Sequence, residues 1–183
     1  MRSSYQSSVR SRQWGFNLVE VTVAVAILGI LVALAGPSLA TFIADQRIKA
    51  ATREIVRNIQ YARSEAVSRN TVVNLARSSS TARLWEEGWT IYTDADRAGN
   101  TPIAAGDTLL RTVNAQPDSI TLRADATANG WLSFSPDGTL NEGGATAQFV
   151  VCDNRGAISG RSVTINTVGR AQIATAFPAT CNP

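Results

Sequence analysis

Histidine is absent from this 183-residue sequence. That excludes a Ser-His-Asp relay, a Cys-His nucleophile and any imidazole metal ligand. There is also no Walker-type phosphate loop and no Gly-x-Gly-x-x-Gly turn, so the usual nucleotide cradles are missing. No internal repeat is present. Asp94-Ala95-Asp96-Arg97-Ala98-Gly99-Asn100 has the outline of a calcium loop, but Ala98 occupies a ligand place and Ala105 stands where the bidentate glutamate belongs. It reads as a polar loop. Enzyme is therefore the least supported class, and no metal or cofactor is expected.

Charge is also missing from one long run. From Val21 to Ala44, 24 residues carry none, and about 20 apolar residues in a helix span the hydrocarbon core of a bilayer. Before this run come Arg2, Arg10 and Arg12 with no acid, then Gly15-Phe16, then Glu20. A secretory signal has a shorter apolar stretch, about 7 to 15 residues, and a small-residue cleavage site. This run is longer and continues into an amphipathic helix, so it is predicted to be retained. A cut after Gly15 would remove only the leader. The three arginines favour a cytoplasmic N-terminus and send the remainder across the membrane.

Glu20 is the exception to the apolar pattern. A carboxylate at the bilayer centre costs roughly 2.5 to 3.5 kcal/mol on insertion scales, so an acid there is a functional candidate. The plainer reading is that Glu20, about 6 Å along the helix from Phe16, reaches the headgroups. The leader, the Gly15-Phe16 junction and the acid together resemble the type IV prepilin signal. That resemblance implies a prepilin peptidase that cuts after Gly15 and methylates the Phe16 amine, with Glu20 at the fifth mature position. It also implies that Gly29 and Pro37 weaken the helix so that it partly unwinds in a filament. The freed Phe16 amine is a cation that can pair with Glu20 of a neighbouring subunit in a dry environment, where the attraction is strong.

About 140 residues lie outside the bilayer, enough for one domain with a real core. The pI of about 9.3 belongs to the precursor: of 17 bases and 14 acids, three bases lie in the leader, and its removal leaves 14 of each. Cys152 and Cys181 are the only cysteines, and across the membrane such a pair tends to oxidise. They are either bridged, which would stabilise the C-terminal segment by roughly 3 to 4 kcal/mol, or two free thiols.

The mature charges are unevenly spread. Asp45 to Arg83 has eight bases against three acids, net +5, and Leu84 to Glu142 has nine acids against three bases, net −6. These are either solvated faces or complementary contacts between neighbouring subunits.

Past Pro37 the helix is predicted to reach about Ser68, with Ile48, Ala51, Ile55, Ile59, Ala62 and Ala66 on one stripe and Arg53, Arg57, Arg63 and Arg69 mostly pointing away. β-branched and aromatic runs follow at 71–75, 88–93, 108–113, 119–123, 131–135, 148–152, 162–166 and 170–175, and these read as strands. Pro136-Asp137-Gly138 marks a turn, and Thr167-Val168-Gly169 closes a hairpin. The fold class is α+β: a long N-terminal helix packed on antiparallel sheet.

The stretch Tyr61-Ala-Arg-Ser-Glu65-Ala-Val-Ser-Arg-Asn70 and the following Thr71-Val-Val resemble the FimT/FimU/GspH group of minor pilins and pseudopilins. Gly88-Trp89, the Phe134-Ser-Pro-Asp-Gly turn and Gly169-Arg170 suit the same domain. The likeness implies two small packed sheets and this organisation: leader 1–15, membrane or filament-core helix 16–44, amphipathic helix 45–70 and a β-rich periplasmic domain 71–183. It implies an inner-membrane protein that joins other minor pilins and the major pilin near the tip of a type IV pilus, where it primes or caps assembly. The alternative is a GspH-like pseudopilin of a type II secretion system, which shares helix, fold and processing and differs in the machine it joins. An unrelated single-pass binding module would need no cut after Gly15. Some FimT-like proteins bind DNA through a Gly-Arg-x-Arg motif. Here the stretch is Gly169-Arg170-Ala171-Gln172, without the second base, leaving Arg155, Arg161 and Arg170 as a small candidate patch.

Overall fold

The computed structural model describes residues 15, 17–95, 106–141 and 145–183, with nothing said of the side chains at 35 and 37. It divides into two units, one ending at Thr41 and the other Phe42–Pro183. Helix α1 (Leu18–Arg69) runs through both. Asn17 opens it: the amide of Val19 donates to the Asn17 side chain at 3.3 Å and that of Val21 to its carbonyl at 3.2 Å. Such a cap satisfies donors that a helix start leaves unpaired.

In the first unit the helix is apolar all round. Leu18, Val21, Val25, Leu28, Leu31 and Leu34 are all exposed. Among the described residues no single helix is both long and apolar enough to cross a membrane; runs 18–34 and 38–69, taken together, meet the requirement by length and composition.

In the second unit the same helix turns amphipathic. Ile48, Ala51, Ile55, Ile59, Ala62 and Ala66 are all buried, the stripe expected from their three-and-four spacing. Thr52 lies on this buried side and bonds back to the Ile48 carbonyl at 2.7 Å, so no hydroxyl is left dry and unpaired. The helix ends where Asn70 takes a left-handed φ of 53°. The Thr71 amide then reaches the Ala66 carbonyl and the Asn70 amide the Val67 carbonyl, a Schellman closure.

Eight strands follow: β1 (Val72–Arg77), β2 (Trp89–Asp94), β3 (Leu109–Val113), β4 (Ile120–Ala124), β5 (Trp131–Phe134), β6 (Ala147–Asp153), β7 (Arg161–Ile165) and β8 (Ala171–Ile173). Each falls on a run expected from the sequence, with ends shifted by a residue or two. They form two four-stranded antiparallel sheets, ordered β3-β2-β1-β5 and β4-β6-β7-β8. Gly88, expected inside β2, lies just before it. Its φ is 95°, and a Cβ there would sit 2.3 Å from the Val113 carbonyl oxygen, so only glycine fits.

One core joins the helix stripe to both sheets, taking in Leu75, Ile91 and Phe134 of the first and Leu122, Phe149 and Val163 of the second. Trp85, on the β1–β2 connection, is its joint. The fully buried ring stands edge-on to Phe149 of β6 at 5.0 Å and 6.4 Å from Trp89 of β2. Its indole N–H donates to the Ala128 carbonyl at 3.0 Å, which satisfies the one polar atom of the side chain.

Candidate functional site

The candidate assembly residues lie at the start of the chain. Gly15 is exposed and has open space where a Cβ would stand. Phe16 lies outside the described residues. Glu20 is exposed in the first turn of α1, where an acid suits the positive end of the helix dipole. With Val21, Ala24, Val25 and Leu28 it borders a shallow, nearly apolar groove of about 370 Å³. A carboxylate on an otherwise apolar surface needs a cationic partner or water to remain charged. Gly29 and Pro37 both fall within α1.

A second set of residues joins helix to sheets. Arg63, expected to point away from the domain, instead donates from Nε to the Gly138 carbonyl at 2.8 Å. The reason is a meeting of two turns. Gly138 closes the turn after β5, Gly169 closes the β7–β8 hairpin, and a Cβ on Gly169 would stand 2.3 Å from the Gly138 oxygen. The two sheets thus touch backbone to backbone, and Arg63 caps the oxygen at the contact. Each turn has a sequence signature; their meeting has none.

A third set surrounds the C-terminal tail. Cys152 of β6 and Cys181 are bridged, with Cα atoms 5.9 Å apart. Arg83 holds the end of the chain through a 2.9 Å bond to the Pro183 oxygen. Next to the bridge, Asp153 accepts from the Arg155 side chain and amide and from the Ser159 hydroxyl. Burial pushes the Asp153 carboxyl up, but these hydrogen bonds outweigh it and hold the group below its ordinary value. Arg155 also pairs with Asp45 on α1 at 2.7 Å. Hydrogen bonds to Asp153 and Asp45 push its guanidinium further towards the charged form.

The three arginines considered for DNA therefore differ in their surroundings. Arg155 is engaged by two carboxylates. Arg161 lies 5.5 Å over the Phe177 ring and shares a cleft with Arg155. Arg170 is exposed at the hairpin, its amide bonded to the Asn166 side chain. Residues 96–100 of the calcium-like loop and Ala105 lie outside the described residues.

Of the charged segments, 45–83 and 84–142, no ion pair joins one to the other within the described chain; the pairs are Arg69–Glu65, Arg123–Glu86 and the two made by Arg155. Arg47, Arg53 and Arg57 remain exposed on the helix.

Residues 51–169 match the family described as type II transport protein GspH. The type IV minor pilin FimU of Pseudomonas aeruginosa strain PAO1 is similar in two crystal forms. In one it is 27% identical with a TM-score of 0.59, over 73% of this chain and 98% of FimU. In the other it is 26% identical with a TM-score of 0.61, over 76% and 98%. The minor pseudopilin EpsH from the type 2 secretion system of Vibrio cholerae is 9% identical with a TM-score of 0.46, over 70% and 96%. No curated protein matches. The helix stripe, the two sheets and the matched family agree: the chain belongs to the GspH family, among the minor pilins and pseudopilins of the FimT/FimU/GspH type.

Proposed function

We propose that this chain is a minor pilin that primes or caps a type IV pilus, processed between Gly15 and Phe16, held in the inner membrane with its β-rich domain in the periplasm, and then incorporated near the pilus tip. The likeness to FimU, spanning 98% of that chain at 27% identity, is the observation that carries this reading. Its partners are a prepilin peptidase, other minor pilins and the major pilin. The work of the protein is assembly, without catalysis or cofactor.

In this reading Glu20 supplies the specificity. Its carboxylate stands on an apolar helix surface, and the methylated Phe16 amine of a neighbour offers the matching cation. In a medium of low dielectric that attraction is large, and an unpartnered charge is costly. The pair would set the axial register of one subunit against the next, while Gly29 and Pro37 let the helix yield as it packs. The exposed bases of 45–83 and the acids of 84–142 then serve contacts between subunits.

The pseudopilin reading has one observation of its own, the family description as a type II transport protein. Two experiments decide. Mass spectrometry of the mature N-terminus is expected to find methylated Phe16; an intact Met1 would overturn both readings. Glu20→Ala is expected to leave membrane insertion intact and to remove the protein from sheared pili. Its recovery at wild-type level in pili would refute the role of Glu20, and its presence only in a secretion apparatus would favour the pseudopilin.

A further inference from the structure

At the start of the domain, just beyond the uncharged run, basic and apolar side chains share one cleft. Asp45 is the first charged residue after Ala44. With Lys49, Arg155, Arg161, Ile158 and Phe177 it lines a cleft of about 290 Å³. Arg155 is neutralised by Asp45 and by Asp153. Lys49 and Arg161 form no ion pair among the described residues; with Arg155 set against Asp45 and Asp153, three bases face two acids and the rim is net +1, its unpaired cations being Lys49 and Arg161. Beside them are two large apolar groups in solvent, Ile158 at 79% and Phe177 at 58% exposure.

We propose that this rim is a headgroup-docking surface that seats the domain on the anionic phospholipids of the leaflet from which it emerges. The proposal rests on the reading that the uncharged run lies in a bilayer. Chain connectivity then sets the depth. At a rise of 1.5 Å, 24 helical residues have a contour of about 36 Å, enough to cross a hydrocarbon core of about 30 Å and end near its headgroup layer even with the bend of 42° between the runs 18–34 and 38–69. Asp45 therefore lies at the headgroup layer, and the residues that border the same cleft lie near it. Helical side chains lean towards the helix N-terminus, which carries Lys49 back towards the lipid.

The composition fits one occupant. Cations attract phosphate, while an isoleucine and an aromatic ring prefer the boundary between headgroup and acyl chain. A free phosphate would use only the cations and leave Ile158 and Phe177 in water. The Arg161–Phe177 contact holds the charge and the ring together, the pairing an interfacial anchor needs.

The test uses the full chain reconstituted in vesicles of phosphatidylcholine alone or mixed equally with phosphatidylglycerol, read by amide hydrogen exchange at 156–161 and 174–179. Each cation near an anionic leaflet strengthens attachment by roughly fivefold. Exchange is expected to slow several-fold in the mixed vesicles, and to revert at high salt and in Lys49→Gln/Arg161→Gln. Ile158→Ser/Phe177→Ser changes exposed side chains only and is expected to reduce protection in both vesicles. Equal exchange in the two lipids overturns the proposal, as does protection given by inorganic phosphate over phosphatidylcholine, which would identify a free-anion site. Protection seen only on adding pili, whatever the lipid, overturns it in favour of a subunit contact. A chain extracted from both vesicles by alkaline carbonate overturns the membrane reading itself.

Discussion

The two parts of α1 make opposite use of one helical backbone. Between residues 18 and 34 the large side chains, Glu20 apart, are apolar on every face and exposed; between 48 and 66 the apolar ones form one stripe and are almost wholly buried. An amphipathic helix takes its stability from packing on its own chain, whereas a helix apolar all round needs a surrounding that the chain does not supply. On the proposed function that surrounding is lipid or a bundle of neighbouring helices. The second half thus belongs to the folding unit and, on that proposal, the first to assembly, so the two should be separable by mutation.

The largest expected separation is between a core ring and the exposed helix. Trp85 touches both sheets through Phe149 and Trp89, and its truncation to alanine should cost about 3 to 5 kcal/mol. Leu28→Ala removes an exposed side chain and should leave domain unfolding within about 0.5 kcal/mol of wild type. Denaturant unfolding followed by tryptophan fluorescence for Leu28→Ala, and by far-ultraviolet circular dichroism for both, measures the difference. Equal losses would mean that the two halves do not divide the work. The Cys152–Cys181 bridge should rank next. It closes a loop of 29 residues, and Cys181→Ser should cost about 3 to 4 kcal/mol if loop closure dominates, with insertion unchanged in carbonate extraction.

The sequence makes this division legible because each half has its own period. The uncharged run, the three-and-four stripe and the eight strand runs are all local patterns. Contacts between distant residues leave no such trace. The β1–β5 pairing, the place of Trp85 at the centre of the core, and the Arg155–Asp45 pair across 110 residues appear only in the folded chain. Arg63 is the instructive case. Its position on the stripe's far side predicts a solvated guanidinium, but two turns from different sheets converge beneath it and leave a carbonyl that needs a donor. Of the candidate site, the cysteine pair could be read directly, since Cys152 and Cys181 are the only two; the neutralised state of Arg155 could not.

That convergence gives a smaller prediction. Gly169→Ala places a Cβ against the Gly138 oxygen at a φ of 76° and should cost about 1 to 3 kcal/mol. Arg63→Ala should cost about 1 to 3 kcal/mol by leaving that oxygen without its charged donor. In a double-mutant cycle the two losses should fall short of additivity, because both act on the one oxygen; strict additivity would mean that the turns do not cooperate.

The smallest effect is one of pH, and it also tests which half of the molecule holds the charge network. The Asp153 carboxyl is held below its ordinary value because the Arg155 and Ser159 hydrogen bonds outweigh its burial. A group depressed in the folded state binds fewer protons there than in the unfolded chain, so its contribution is present above the unfolded aspartate value of about 3.9. It is lost as the pH falls through the lower folded value. Asp153→Asn should therefore flatten the acid limb of stability against pH while leaving the slope near neutrality unchanged. Leu28→Ala, on the exposed part of the helix, removes no titrating group and should leave the acid limb of domain unfolding as it was. An acid limb that keeps its wild-type slope in Asp153→Asn would mean that Arg155 is held by Asp45 alone, and that the link from helix to tail does not depend on the buried carboxylate.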